Sequence, residues 1–190
     1  MPSPKILVFA GSIRQGALSA KLAAAAAREL SSQGGIVSEI SLGDYPLPIY
    51  NGDLQDEKGI PENAKKLARE IATHQGVFIA TPEYNNSVPP LLKNSIDWVS
   101  RIKADEVAYQ NRVYGIGSSA AGPVGGARAL IDLRKIIMPA LGAIVIPEKV
   151  EIGRAADAFD ENGALIAEAP AKLLKGLCHH LVELASRLSN

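Results

Sequence analysis

The chain has 190 residues, 47% hydrophobic and 21% charged, the balance of a globular protein long enough to bury a proper core, and it is read as one domain spanning 1–190. Lysine plus arginine and aspartate plus glutamate are both 20, a formal net charge of +0. That balance excludes the basic excess of a nucleic-acid binder and the acidic excess of a protein built for a cationic partner.

In chain order, "MPSPKILVFAGSIR" opens with an apolar stretch too short for a signal peptide, and its core "KILVFAG" reads as a buried strand. "SAKLAAAAARELSSQGG" places Leu22, Ala26 and Leu30 at helical spacing, with Gly34 as a stop. "IVSEISL" is a second strand, and "GDYPLPIYNGDLQDEKG" is expected to be a long loop. A helix from about Pro61 to His74 precedes the strand "VFIAT" and the loop "TPEYNNSVPP". The next helix opens near Pro89–Pro90 and runs through "LLKNSIDWVSRI", where Trp98 is expected to pack on the sheet. The strand "RVYGIGS", the loop "SAAGPVGGA" and a helix through "RALIDLRKIIMPALG" follow. A short strand "AIVIP", the loop "GRAADAFDENGA" and a helix "APAKLLKGLCHHLVELASRL" complete the chain. No apolar run approaches membrane-spanning length, and Cys178 is the one cysteine, so no internal disulfide forms and a reducing compartment, the cytoplasm, is expected.

This is βα repeated five times with strands that are apolar runs, the pattern of a parallel sheet covered by helices on both faces. Right-handed crossovers bring every strand-to-helix loop to one edge, where open sheets bind ligands. Strand order does not follow from the pattern.

Three loops meet at that edge. "GSIRQGALS" offers Ser12, Ser19, the Arg14 guanidinium and free helix N–H groups, a cradle for one phosphate or simply a capped helix with a surface arginine. It is not a dinucleotide fingerprint, because Ile13 stands where glycine belongs, nor a P-loop, because Ala17 and Leu18 follow Gly16. Strand one also lacks the acidic residues with which a receiver domain holds magnesium. "TPEYNNSVPP" offers hydrogen-bonding groups at Glu83, Tyr84, Asn85 and Asn86 between stiffening prolines, a frame for a planar heterocycle or an ordinary turn before a helix. "GSSAAGPVGGAR" lets a ligand approach the backbone closely. It falls short of a nucleophile elbow, since Ala121 stands at the last glycine, and the candidate histidines His74, His179 and His180 sit on helices remote from the strand tips. Cys178, His179 and His180 are consecutive and point apart on a helix, so they cannot chelate one metal together, and no metal site is assigned.

Together "GSIRQGALS", "TPEYNNSVPPLLKNSIDW" and "SSAAGPVGGARALIDLR" resemble the flavodoxin-like NAD(P)H-dependent FMN reductases, in the branch of bacterial quinone and chromate reductases. The resemblance runs from about Lys5 to Leu188. It implies a three-layer sandwich with a five-stranded parallel sheet in the order 2-1-3-4-5 and a noncovalent FMN. By that resemblance the phosphate would sit on Ser12, Arg14, Ala17, Leu18 and Ser19, the ring along Pro82, Glu83, Tyr84 and Asn85, with Ser118 and Ser119 beside it. This chain departs from the family pattern Gly-Ser-x-Arg-x-x-Ser-x-Asn at Ala17 and Ser19, which removes one phosphate-binding hydroxyl.

The expected activity is hydride transfer from NAD(P)H through flavin to quinones, free flavin, azo compounds or metal oxyanions. The flavin does the chemistry, so no side chain is assigned as acid, base or nucleophile. A flavodoxin-type electron carrier is the rival, disfavoured by the balanced charge, and a relative that has lost flavin is a third reading. The resemblance also implies a homodimer or homotetramer, and the helix–strand stretch "LIDLRKIIMPALGAIVIP" is apolar over more than one face.

Overall fold

The computed structural model describes residues 2–102 and 108–188. Five strands, β1 (Lys5–Ala10), β2 (Ile36–Ile40), β3 (Gly76–Thr81), β4 (Val113–Ser119) and β5 (Ile144–Ile152), form one sheet in the order β2-β1-β3-β4-β5. Every neighbouring pair is parallel, as the resemblance implies. Around them pack α1 (Leu18–Ser32), α2 (Gly52–Lys58), α3 (Glu62–Ala72), α4 (Pro90–Val99), α5 (Ala127–Ile137) and α6 (Glu168–Arg187).

The unbroken apolar strands are explained by two cores. Along β1 and β3, Ile6, Val8, Phe78 and Ala80 face a core with Leu22 and Ala26 of α1 and Leu177 and Leu181 of α6. The alternate residues Leu7, Phe9, Val77 and Ile79 face a second core with Leu67 of α3, Ile96 of α4 and Leu133 of α5. A strand buried on both faces needs no polar position, so its two-residue period vanishes from the sequence. In β4 a Cβ on Gly117 would stand 2.8 Å from Val150 and 3.0 Å from Leu22 and Phe78, so glycine lets α1 lie flat on the sheet.

Three expectations are corrected. The stretch 43–59 is not all loop, because it contains α2, started by the Asn51 side chain accepting from the Asp53 N–H at 2.9 Å and stopped at Gly59 with φ 75°. No residue of α2 is buried, so it carries no apolar period to betray it. The fifth helix ends at Ile137 rather than Gly142: Met138 still has helical angles and donates to the Arg134 carbonyl, but Pro139 after it has no N–H to continue the ladder. The fifth strand runs on to Ile152, beyond the predicted "AIVIP". A register shift opposite Tyr114 and Ile116 absorbs Pro147, and Arg134 of α5 donates to the carbonyls of Val145 and Ile146. Trp98 is fully buried, and its indole N–H donates to the Pro48 carbonyl at 2.8 Å while its ring meets Tyr50 edge-on.

Among the described residues, no helix is long and apolar enough to cross a membrane.

Candidate functional site

The loops after β1, β3 and β4 enclose a cavity of about 200 Å³ at the carboxyl edge of the sheet. The first loop contributes Ser12, Arg14, Ala17, Leu18 and Ser19, the second Pro82, Glu83 and Tyr84, and the third Ser119, Ala120 and Ala121. Nine of the eleven residues expected from the sequence thus line one space. Asn85 and Ser118 do not, and Ala120 and Ala121 join in their place. The signal for these alanines was the small-residue run itself, which admits a ligand against the backbone.

Each loop has a local cause. In the first, Gly16 takes φ 69°, the Ala17 N–H donates to the Arg14 carbonyl at 3.0 Å, and the Ser12 hydroxyl accepts from the Arg14 N–H at 3.3 Å. The second is a tight hairpin turn. Tyr84 and Ser87 exchange both backbone hydrogen bonds, at 3.0 and 3.1 Å, and the two central residues Asn85 and Asn86 lie at φ 50° and 66°. Positive φ at both central positions is the type I′ turn, which asparagine tolerates better than most residues. The two amides of "YNNS" therefore answer first to backbone geometry. In the third loop the buried Ser118 hydroxyl donates to the Gly125 carbonyl at 2.6 Å, which holds the loop closed and turns that oxygen away from any ligand.

The second and third loops are tied together through α5. One Glu83 carboxylate oxygen accepts from the backbone N–H groups of Arg128 and Ala129, at 2.9 and 3.1 Å. These are the second and third residues of α5, the donors a helix leaves unsatisfied. Gly126 before them has φ 86° and no side chain to cap with, and a Cβ there would lie 3.0 Å from Ser118 and 3.4 Å from Glu83. A carboxylate delivered to such a terminus stabilises it by about 0.5–2 kcal/mol. Ser87 adds a bond of 2.6 Å to Asp132, one turn further along α5, and Arg128 donates to Asn86 at 3.2 Å.

The site is polar in a directed way. Three helices begin behind the three loops. α5 is capped by Glu83, and α4, which opens on Pro89 and Pro90 without a side-chain cap, places none of its residues on this cavity. α1 has Ala17 at its cap with no side-chain bond, and its first residues line the cavity. An anion therefore finds its seat at α1, with the solvent-exposed Arg14 beside it. Two hydroxyls in the same cavity, Ser19 and Ser119, are 0% and 1% exposed and have no hydrogen-bond partner. Buried hydroxyls normally find one. Orphan hydroxyls on two residues that line one cavity fit a ligand with an anionic end and a chain of its own donors and acceptors, as the phosphate and ribityl of FMN are.

A second cavity of about 260 Å³ adjoins the first across Ser12, Arg14 and Tyr84 and is walled by Ile13, Pro89 and Leu91. His74 is far from this edge, ahead of β3, where its ring is bonded to Ser38 and the Glu70 carbonyl. His180 pairs with Glu148 across α6 and β5. Cys178 is buried, and that burial pushes its thiol pKa up, so it stays neutral.

Residues 4–157 match the family described as NADPH-dependent FMN reductase. The quinone reductase of Escherichia coli K12 is 35% identical over 134 residues, 70% of this chain and 69% of that protein. An NAD(P)H-dependent FMN reductase of Pseudomonas aeruginosa is 32% identical over 173 residues, covering 90% of this chain and 89% of its own. Among solved structures, the flavoenzyme NAD(P)H:acceptor oxidoreductase FerB of Paracoccus denitrificans superimposes with a TM-score of 0.79 at 26% identity, covering 97% of this chain and 98% of that one. An azoreductase of Bacillus anthracis, 16% identical with a TM-score of 0.60 over 97% of this chain and 99% of its own, shares the fold. The matched span contains all three loops of the cavity, and on it this chain belongs to the NADPH-dependent FMN reductase family.

Proposed function

We propose that this chain is an FMN-dependent oxidoreductase that oxidises NADH or NADPH and reduces quinones or other small acceptors, with FMN seated in the cavity at the carboxyl edge of the sheet. The observation that carries this reading is the pair of unpartnered buried hydroxyls on Ser19 and Ser119, two residues that line one cavity beside an uncapped helix start. The phosphate is held at the N-terminus of α1 by Arg14, Ser12, Ser19 and the backbone of Ala17 and Leu18. The hydroxyl that Ala17 lacks is replaced in part by that of Ser19. Pro82, Glu83 and Tyr84 form one wall for the flavin and Ser119 with Ala120 and Ala121 the other, while Asn85 and Ser118 act by shaping the two loops.

Bound FMN supplies the hydride-transfer chemistry. The protein's part is position and polarity. Backbone N–H groups and small side chains let the ring lie against the strand tips, and the exposed Tyr84 covers the boundary with the second cavity, which offers room for a second planar ligand. No side chain of the site is required as acid, base or nucleophile.

The test is a visible spectrum of the protein reconstituted with FMN, followed by NADH and NADPH oxidation with a quinone added. A bound flavin spectrum with steady-state turnover is expected. A protein that stays colourless with excess FMN removes the reading, and bound flavin without nicotinamide turnover makes the chain an electron carrier. We also infer a homodimer or homotetramer working in the cytoplasm, the first supported by the apolar α5–β5 face and the second by a lone, buried, neutral thiol.

A further inference from the structure

We propose that Glu83 is the positioning residue of the flavin site: its carboxylate fixes the separation of the two loops that wall the cavity, and it acts as a hydrogen-bond acceptor from α5 and not as a ligand of the flavin. The proposal rests on the FMN reading above and assigns this residue a role within it.

The geometry is specific. Glu83 lies in the loop after β3, and its side chain crosses to α5, 45 residues on, where one oxygen accepts from two successive N–H groups. With its carboxylate so engaged and its side chain 15% exposed, Glu83 reaches the cavity as a wall. Nothing local could do this work at α5. Gly126 has no side chain, and the space a side chain would need is taken by Ser118 and by Glu83 itself. Loop three, with Ser119 to Ala121, feeds directly into Gly125–Gly126 and α5, so the position of α5's first turn sets the position of that wall. Loop two is braced at its other end by the type I′ turn and by Ser87 on Asp132. Removing the Glu83 oxygen therefore frees the two walls from each other at the point nearest the cavity and leaves the phosphate seat on α1 untouched.

The experiment measures dissociation constants for FMN and for riboflavin by flavin fluorescence, with thermal unfolding of each variant alongside. Glu83→Ala is expected to weaken both flavins by the same factor, about tenfold, the scale of a lost helix cap. Glu83→Gln keeps an oxygen able to accept from both N–H groups and is expected to stay within about threefold of the parent, a rescue that a role for the charge would not give. Ser87→Ala, which cuts the second tie, is expected to shift both flavins in the same direction by a smaller factor. Unchanged flavin affinity in Glu83→Ala, with the protein folded, overturns the proposal while the FMN reading stands. So does a loss confined to FMN, which would place Glu83 at the phosphate end, and so does a Glu83→Gln protein as impaired as the alanine variant. A parent protein that binds neither flavin sinks both readings together.

Discussion

Ser19 and Ser119 fold with their hydroxyls unpaired, and leaving a buried polar group so costs about 1–3 kcal/mol. A ligand that offers partners to both removes that cost, which is why these two residues say more about the site than exposed groups do. Arg14 has the opposite character, a solvent-exposed cation whose value appears only when a phosphate arrives. Arg14→Ala is expected to weaken FMN on the order of tenfold, the lower end of a charge-assisted bond because the guanidinium is solvated, and to leave riboflavin within about twofold. Titration of both flavins checks this, and equal weakening of the two would assign Arg14 a different role. The types of most of these side chains, hydroxyls and a guanidinium before an alanine-rich helix, allowed either an anion seat or a capped helix with a surface arginine, and the structure brings them to one cavity. Asn85 and Ser118 were legible as residues of the site but not in their roles. A backbone at φ 50° and a hydroxyl turned inward to Gly125 are facts of conformation that residue type does not carry.

Among the elements, α4 shows what the segment "LLKNSIDW" is for. Asn94 and Trp98, one turn apart, both donate to the Pro48 carbonyl, at 2.9 and 2.8 Å, and Asn94 accepts from the Tyr50 N–H at 2.8 Å. Arg101 then lies over the Tyr50 ring. A proline-rich connection of irregular backbone is held on the body of the protein by one face of one helix. Asn94→Ala breaks two of these bonds and leaves the part-buried Tyr50 N–H without its acceptor. It is expected to lower unfolding stability by about 1–3 kcal/mol and to expose residues 46–50 to protease, measured by denaturant titration and limited proteolysis. The strands and long helices were legible because burial imposes a pattern on them. α2 was not, since it buries nothing, and the true end of β5 was not, since Pro147 and the register shift break its run.

At the scale of the whole molecule, the site and an exposed apolar surface lie in different places. A cavity of about 480 Å³ opens between α5 and β5, lined by Ile131, Met138, Pro139 and Pro147 and edged by Lys135 and Lys149. Ile131, Met138 and Ile144 are 57%, 44% and 48% exposed on this side. It lacks the orphaned hydroxyls and uncapped helix start of the strand-tip cavity, and contiguous apolar surface of this kind suits a protein contact. Ile131→Asp is expected to shift the protein to a smaller species by light scattering without loss of FMN binding; a parent protein already monomeric at working concentration would refute the association. The sequence by itself determined the alternation of strand and helix, the burial of the sheet on both faces and the three loops that meet at one edge, because hydrophobic period and turn chemistry are local properties of the chain. Only the tertiary structure decided that Glu83 answers the N-terminus of α5, that Ser119 and not Ser118 lines the cavity, and that the first residues of α1, which has no side-chain cap, border that same cavity. Those outcomes depend on which distant groups satisfy one another, and a partner 45 residues away leaves no mark on local pattern.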